Sequence, residues 1–337
     1  AGILKIYEAQ QIELDNKKKE LLKLSIEPFE KLKDFMNRPG NALMESAFIS
    51  CDSIDKIMDE LCNSFGNCRL MALSGMGKTR MVIETFKQQE GVFYSNASDC
   101  LRGLVSLLKN VHPNVVIIDN CNSDLMYKAE KIMNEVGSHA RLVTIYNVLT
   151  PEEKATGGKL YELDYSSTEE IVDKMIEASN ISQHEQQIAQ IIKDRSGCIP
   201  YMAILLVKAY RTTGTFELEN PDFVLSAILK GNNKLNEQTM DALRAISLFD
   251  PLGKDNGVGD EFEYVTHSYM IHHIKQQQNV VDTEFKDVVR DYENRQLLEH
   301  EGSCIRIRPR PLAEWLTESW LEKHGNLAEV IEDINKQ

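Results

Sequence analysis

Arg69-Leu-Met-Ala-Leu-Ser-Gly-Met-Gly-Lys-Thr-Arg80 is the stretch that decides the fold, because an apolar run here breaks into glycines followed by Lys78 and Thr79. Small residues let successive backbone N–H groups turn inward around phosphate oxygens, and a helix that begins at the lysine directs its positive end at them. The usual pattern has a further glycine five residues before Gly77, where this chain has Ala72. The stretch predicts a phosphate-binding loop whose contacting residues are Ser74, Gly75, Met76, Gly77, Lys78, Thr79 and Arg80.

Composition limits the classes of protein that this chain can belong to. Its 337 residues favour two or three domains, and 42% hydrophobic with 27% charged residues is typical of globular proteins. A net charge of −14 argues against nucleic acid as a partner and against an anionic membrane surface. The seven cysteines lack the paired spacings of zinc sites or disulfide frameworks. We therefore expect a cytoplasmic protein, and a first residue other than methionine indicates a piece of a longer one.

Short apolar strands alternate with amphipathic helices around the loop, which predicts a three-layer α/β domain with a mainly parallel sheet. Beyond residue 165 helices dominate. The predicted final unit has helices near 262–277 and 283–295, a hairpin at 297–308 and a helix from about 309 to 323, in the pattern of a winged helix. The predicted strands are 69–73, 92–95, 114–118, 141–146 and 159–163. The predicted domains are an N-terminal helical arm or linker (1–44), a nucleotide-binding domain (45–165), a helical lid (166–232) and a winged-helix domain (233–337).

Asp119 follows the apolar run Val115–Ile118, and one strand-helix unit separates that run from the loop. A carboxylate at the tip of such a strand can hold the water shell of a Mg²⁺ ion whose inner shell includes the Thr79 hydroxyl and nucleotide phosphates. The simpler alternative is that Asp119 and Asn120 only form a strand-ending turn. We predict Thr79 and Asp119 as the metal site, and Lys78 and Asp119 as the residues with catalytic roles.

These motifs resemble the STAND class of P-loop ATPases, which includes the NACHT and NB-ARC switch modules. Met71 to Arg80 is similar to the loop of that class, and Ile117 to Cys121 is similar to the Asp-Asn-Cys magnesium-side motif of some bacterial members. The resemblance implies a sheet with the strand order 5-1-4-3-2, followed by the lid and the winged helix. It also implies ATP or ADP with Mg²⁺ as cofactors.

Three further stretches extend the resemblance. Gly197 to Pro200 is similar to a lid motif whose proline lies near the nucleotide. The alternative is that Gly197 ends one helix and Pro200 stands in the first turn of the next, which is common at helix ends. The segment 305–316 resembles the end of the winged helix, where Arg308 would contact a phosphate; a basic edge exposed to water is the alternative. The segment 48–52, with Ile49, occupies the place where family members pass the adenine, or it is a plain entry into a helix.

Two departures from the family concern hydrolysis. Many hydrolytic relatives have an acidic residue just after the magnesium aspartate, whereas here Asp124 is the first acid after Asp119. The arginine often found at the end of the fourth strand is also absent, and Tyr146 and Asn147 stand there. Both departures predict slow hydrolysis.

The leading hypothesis is a nucleotide-operated switch for signal transduction, the central module of a larger bacterial defence or regulatory protein. ADP would hold the closed state, ATP would permit self-association, and effector and sensor domains would lie outside this chain. One alternative is an AAA+-like ATPase that handles DNA. Its recognition helix at 283–295 would carry four acids against three bases, which argues against it, whereas the Arg-rich wing at 306–310 supports it. The other is a scaffold that holds nucleotide without hydrolysing or exchanging it.

Overall fold

The computed structural model describes residues 14, 16–39, 44, 47–96, 100–147, 158–179, 181, 186–213, 221–230, 237–249, 251–253, 286–293, 295, 297–301, 304–324, 328 and 332. The chain divides into two compact units. The first, here called the α/β unit, contains residues 1–73 and 78–163, and the second, the helical unit, contains residues 74–77 and 164–337. The helix predicted at 262–277 lies outside the described residues.

A six-stranded sheet forms the centre of the α/β unit, in the order β1-β3-β4-β5-β2-β6. Strands β2 to β6 are parallel to their neighbours, and β1 is antiparallel to β3. All residues of β3 and β4 are buried, as expected for strands covered on both faces. The strands are β1 (Glu30–Lys31), β2 (Cys68–Ala72), β3 (Val92–Ser95), β4 (Val115–Ile118), β5 (Arg141–Asn147) and β6 (Lys159–Glu162).

The prediction of a mainly parallel α/β sheet is confirmed, and β2 to β6 agree with the five predicted strands to within one residue at each end. If the five predicted strands are numbered 1 to 5 along the chain, their order in the sheet, starting beside β1, is 2-3-4-1-5. Strand β1, in which Glu30 pairs with Tyr94 and Lys31 with Phe93, was not predicted. A strand of two residues leaves no alternating pattern to recognise.

The helices of the α/β unit complete its apolar core. Their bounds are α1 (16–26), α2 (Leu32–Met36), α3 (Asp52–Asn63), α4 (Lys78–Phe86), α5 (Leu101–Asn110) and α6 (Ser123–Val136). The segment predicted as an arm also belongs to this unit, because Ile26 and Phe29 join the core cluster of α5, β4 and α6. Burial of these two side chains ties the N-terminal segment to the sheet.

The helical unit combines seven helices among its described residues with a small antiparallel sheet in the order β7-β9-β8. The helices are α7 (Tyr165–Ala178), α8 (Gln186–Ser196), α9 (Pro200–Thr213), α10 (Pro221–Lys230), α11 (Glu237–Ser247), α12 (286–293) and α13 (Arg310–His324). The strands are β7 (Leu252–Gly253), β8 (Leu298–Glu301) and β9 (Cys304–Ile307). One core cluster joins side chains from both sides of the predicted boundary at 232/233, among them Met202, Leu206, Leu312 and Leu316. Within the described part of the chain, no helix combines the length and the apolar character needed to cross a membrane.

Candidate phosphate and magnesium site

The loop between β2 and α4 has the backbone that its glycines predict. Gly75 has a φ of +83° and Gly77 a φ of +88°, in the left-handed region where glycine carries no Cβ penalty. The helix α4 begins at Lys78, so its first N–H groups follow the loop directly. Such a turn, joined to a helix N-terminus, provides the amide donors that bind a phosphate group.

Lys78 lies at the base of this loop, with 7% of its surface exposed. Its Nζ atom donates hydrogen bonds to the carbonyl oxygens of Ala72 and Leu73, each at 2.8 Å, and to Oδ1 of Asn147 at 3.0 Å. Carbonyl and amide oxygens hold an ammonium group less strongly than charged phosphate oxygens do. A phosphate at the loop can therefore replace these partners of the lysine.

Asp119 and Thr79 meet in the α/β unit, because the parallel strands β4 and β2 end at the same edge of the sheet. Asp119 directly follows β4, and Thr79 follows the loop after β2. Thr79 Oγ1 donates to Asp119 Oδ2 at 2.7 Å, and the backbone N–H of Asn120 donates to Oδ1 at 2.9 Å. Asp119 has 8% of its surface exposed. Hydroxyl and carboxylate oxygens are the hard ligands that Mg²⁺ prefers. The predicted metal pair is thus in direct contact.

Tyr94, which the sequence analysis did not single out, donates from its hydroxyl to Asp119 Oδ2 at 3.1 Å. Burial raises the pKa of the Tyr94 phenol well above its usual value of 10.0, and the Asp119 carboxylate raises that pKa further. The phenol therefore keeps its proton at neutral pH and acts as a donor. The available signal was a tyrosine in an apolar strand, since a buried tyrosine hydroxyl usually has a partner.

The helical unit, which includes loop residues 74–77, supplies two contacts to that segment. The N–H of Tyr201 donates to the carbonyl oxygen of Gly75 at 3.1 Å, directly after Pro200 at the start of α9. Arg308 donates from its guanidinium to Ser74 Oγ and also pairs with Glu299. The regions of Pro200 and Arg308, both predicted from the sequence, therefore lie beside the loop glycine and serine.

Two other predicted residues have different surroundings. Arg80 pairs with Glu84 at 2.8 Å, one turn farther along α4, and donates to Met44 Sδ at 3.1 Å. Ile49 is half-buried in the irregular segment that leads into α3. Met76, within the loop, is buried. Contacts of these three residues with a nucleotide stay predictions.

The side chains just after Asp119 have local structural partners. Asn122 accepts a hydrogen bond from the N–H of Leu125 at 2.9 Å and so caps α6. Asp124, the first acid, pairs with Lys128 at 2.5 Å, and both side chains are largely exposed. The fully buried Arg69 donates to Ser123 Oγ at 2.8 Å. Slow hydrolysis, predicted from the sequence, stays a prediction.

The two loop glycines allow a matched test. A Cβ on Gly75 would lie 2.8 Å from Ile199 Cγ2 and 3.1 Å from Pro309 Cβ, whereas a Cβ on Gly77 would meet nothing within 4 Å. Alanine at either position bears the left-handed backbone cost of about 1–2 kcal/mol, but only Gly75→Ala adds a collision. We expect Gly75→Ala to lower the thermal unfolding midpoint more than Gly77→Ala, as measured by circular dichroism. Equal midpoints in the two variants would contradict the packing around Gly75.

Comparison with known proteins places this geometry in context. A scan against protein-family models gives no match, and a search of curated proteins gives none. Among solved structures, the chain is similar to a STAND protein with a tetratricopeptide repeat sensor from Pyrococcus horikoshii, to AMPPCP-bound DnaA from Aquifex aeolicus and to Drosophila ORC bound to DNA. The identities are 12%, 13% and 10%, with TM-scores of 0.39, 0.39 and 0.28. Coverage of this chain is 84%, 77% and 77%, and coverage of the other chains is 44%, 93% and 90%.

The first of these is a Signal Transduction ATPase with Numerous Domains. The matched region spans less than half of the Pyrococcus horikoshii chain. Because the identities and TM-scores are this low, neither the site residues nor the activities of those proteins are assigned to this chain. The α/β unit has a mostly parallel six-stranded sheet, and the loop after β2 has glycines with left-handed backbone.

Proposed function

We propose that the protein binds ATP and ADP together with Mg²⁺ at the loop 74–80. The observation that carries this proposal is the hydrogen bond of 2.7 Å between Thr79 Oγ1 and Asp119 Oδ2, which joins the start of α4 to the end of β4. The residues fit the nucleotide, because two glycines have the left-handed backbone of a phosphate-binding loop. They also fit Mg²⁺, because the meeting side chains supply a hydroxyl and a carboxylate.

Each residue of the proposed site has a distinct role. Lys78 would exchange its carbonyl partners for phosphate oxygens and neutralise part of their charge. Thr79 would give its hydroxyl oxygen to the ion, whose chemistry is to neutralise charge on the phosphates. A carboxylate has about four acceptor positions, and Thr79, Tyr94 and the Asn120 N–H use three of those on Asp119. The remaining capacity suits a water molecule of the ion's shell.

The finer proposal is a STAND-type switch in which ADP and ATP favour different states and ATP promotes self-association. A switch of this kind needs different contacts with the two nucleotides and not rapid turnover. The contacts of Tyr201 with Gly75 and of Arg308 with Ser74 support it, because residues of the predicted lid and winged helix bond directly to loop residues. Effector and sensor domains outside this chain, and a winged-helix identity for 233–337, belong to the same proposal.

A DNA-handling ATPase is the second candidate, and the expectation against nucleic acid as a partner is not supported, since one structural neighbour is a complex with DNA. The charges favour the switch. Arg290 of α12 pairs with Asp287 at 2.8 Å, and Arg310 pairs with Glu314 at 3.0 Å, so bases of this region are matched by acids. Filter binding with duplex DNA at moderate salt separates the two candidates, because retention of the DNA would favour the second.

Nucleotide exchange tests the proposed function directly. We expect the purified protein to bind a fluorescent ADP analogue, and excess ATP with Mg²⁺ to displace it, because the loop and the Thr79–Asp119 pair serve both nucleotides. Stopped-flow fluorescence measures the displacement. Absence of any binding would refute the nucleotide site, and tight binding that never exchanges, alone or with added partners, would favour the scaffold over the switch.

A further inference from the structure

Tyr94 occupies a buried position from which it reaches the proposed metal carboxylate. It is the third residue of β3 and has 3% of its surface exposed. Its hydroxyl donates to Oδ2 of Asp119, the same oxygen atom that accepts from Thr79. Two donors on Oδ2 and the Asn120 N–H on Oδ1 prevent the carboxylate from rotating. Tyr94 is therefore part of the framework that fixes where Asp119 can hold water or metal.

The aromatic ring of Tyr94 is itself held by the N-terminal segment. The Phe35 ring lies with its centroid 4.2 Å from that of Tyr94, at an interplanar angle of 33°. Strand β1 pairs with β3 directly at this residue, with Glu30 opposite Tyr94. Packing and strand pairing thus fix the direction of the hydroxyl, as expected of a residue that supports a metal ligand.

We propose that Tyr94 is a positioning residue for Mg²⁺, which holds the Asp119 carboxylate in the orientation that the ion's shell requires. The inference rests on the proposed nucleotide site and adds a residue that no motif marks. It also gives the N-terminal segment a role, because β1 and Phe35 act on the proposed metal site through Tyr94. Since Tyr94 acts through Asp119 alone, its effect must be confined to binding measured in the presence of Mg²⁺.

Tyr94→Phe removes the hydroxyl and keeps the ring that packs on Phe35. We expect the Mg²⁺ concentration that half-saturates the Mg²⁺-dependent binding of a fluorescent ATP analogue to rise about tenfold, as when a metal ligand loses a hydrogen-bond partner. Affinity for the analogue in EDTA should stay unchanged. Tyr161→Phe is the matched control, because it removes the hydroxyl of another buried tyrosine, on β6 of the same sheet, and should change neither quantity.

A double-mutant comparison separates positioning from a general structural effect. In an Asp119→Asn background, Tyr94→Phe should cause no further rise in the Mg²⁺ requirement, since the group through which it acts is already altered. Phe35→Leu, which leaves the hydroxyl in place, should raise the requirement by less than Tyr94→Phe does.

Three outcomes overturn the inference. The first is an unchanged Mg²⁺ requirement in Tyr94→Phe, and the second is an equal loss of affinity in EDTA. The third is a further rise in the Asp119→Asn background. Failure of the unmodified protein to bind the analogue in either condition would instead refute the nucleotide site itself.

Discussion

Lys78→Ala is expected to lower the affinity for ADP and ATP by about 100-fold or more. A hydrogen bond to a charged group contributes roughly 1.5–3 kcal/mol, and each 1.4 kcal/mol is about tenfold in affinity. The lysine ammonium makes its bonds from an almost fully buried position, where water screens its charge poorly. Isothermal titration calorimetry with ADP measures the loss, in the presence and in the absence of Mg²⁺.

Lys78→Ala also removes hydrogen bonds that the loop makes in the absence of nucleotide, so a control variant is needed. Lys78 also donates to the carbonyl oxygens of Ala72 and Leu73, so the alanine variant leaves both without that donor. Lys87→Ala removes a cation just beyond the end of α4 that pairs with Glu84 at 2.5 Å. It should bind ADP like the unmodified protein. Undiminished ADP affinity in Lys78→Ala would show that the nucleotide binds elsewhere.

The parts of the fold that the sequence predicts are those with a local cause. Strands β2 to β5 are largely apolar runs bounded by turns, and burial on both faces requires such runs. Strand β1 depends on an antiparallel partner more than 60 residues away in the chain, Tyr94 for Glu30. Nothing within Glu30–Lys31 specifies that pairing, and it could not be predicted from periodicity.

The residues of the candidate site also divide into those that local sequence pattern identifies and those that the sheet brings together from distant parts of the chain. The loop glycines, Lys78 and Thr79 are adjacent in sequence, and Asp119 follows an apolar strand, so local pattern identifies them. The contact of Asn147 with Lys78 arises because β5 lies next to β2, and the contact of Tyr94 with Asp119 because β3 lies next to β4. The phosphate contact predicted for Arg80 stays a prediction, and the structure adds Glu84, four residues later, as its ion-pair partner.

A buried ion network in the helical unit carries the second large expected effect. Asp241 of α11 is fully buried, and its Oδ1 atom accepts from Arg244 at 2.8 Å and from Lys323 of α13 at 3.2 Å. Arg244 is almost fully buried as well and donates from Nε to Ser319 Oγ at 2.9 Å. The network therefore joins α11 to α13, the helix that begins two residues after Arg308.

Asp241→Ala should destabilise the protein by about 3–5 kcal/mol, because it leaves the buried guanidinium of Arg244 without its main counter-charge. Two effects reduce this cost. Lys323 can turn toward solvent, and water in the adjoining cavity of about 380 Å³ can hydrate Arg244. The expected loss of stability therefore lies toward the lower end of that range. Glu237 is the matched control, since it pairs with the same two cations from a side chain that is 65% exposed. Glu237→Ala should cost no more than about 1 kcal/mol, as exposed ion pairs do. Urea unfolding followed by circular dichroism measures both variants, and equal losses would mean that the buried Asp241–Arg244 pair does not stabilise the packing of α11 on α13.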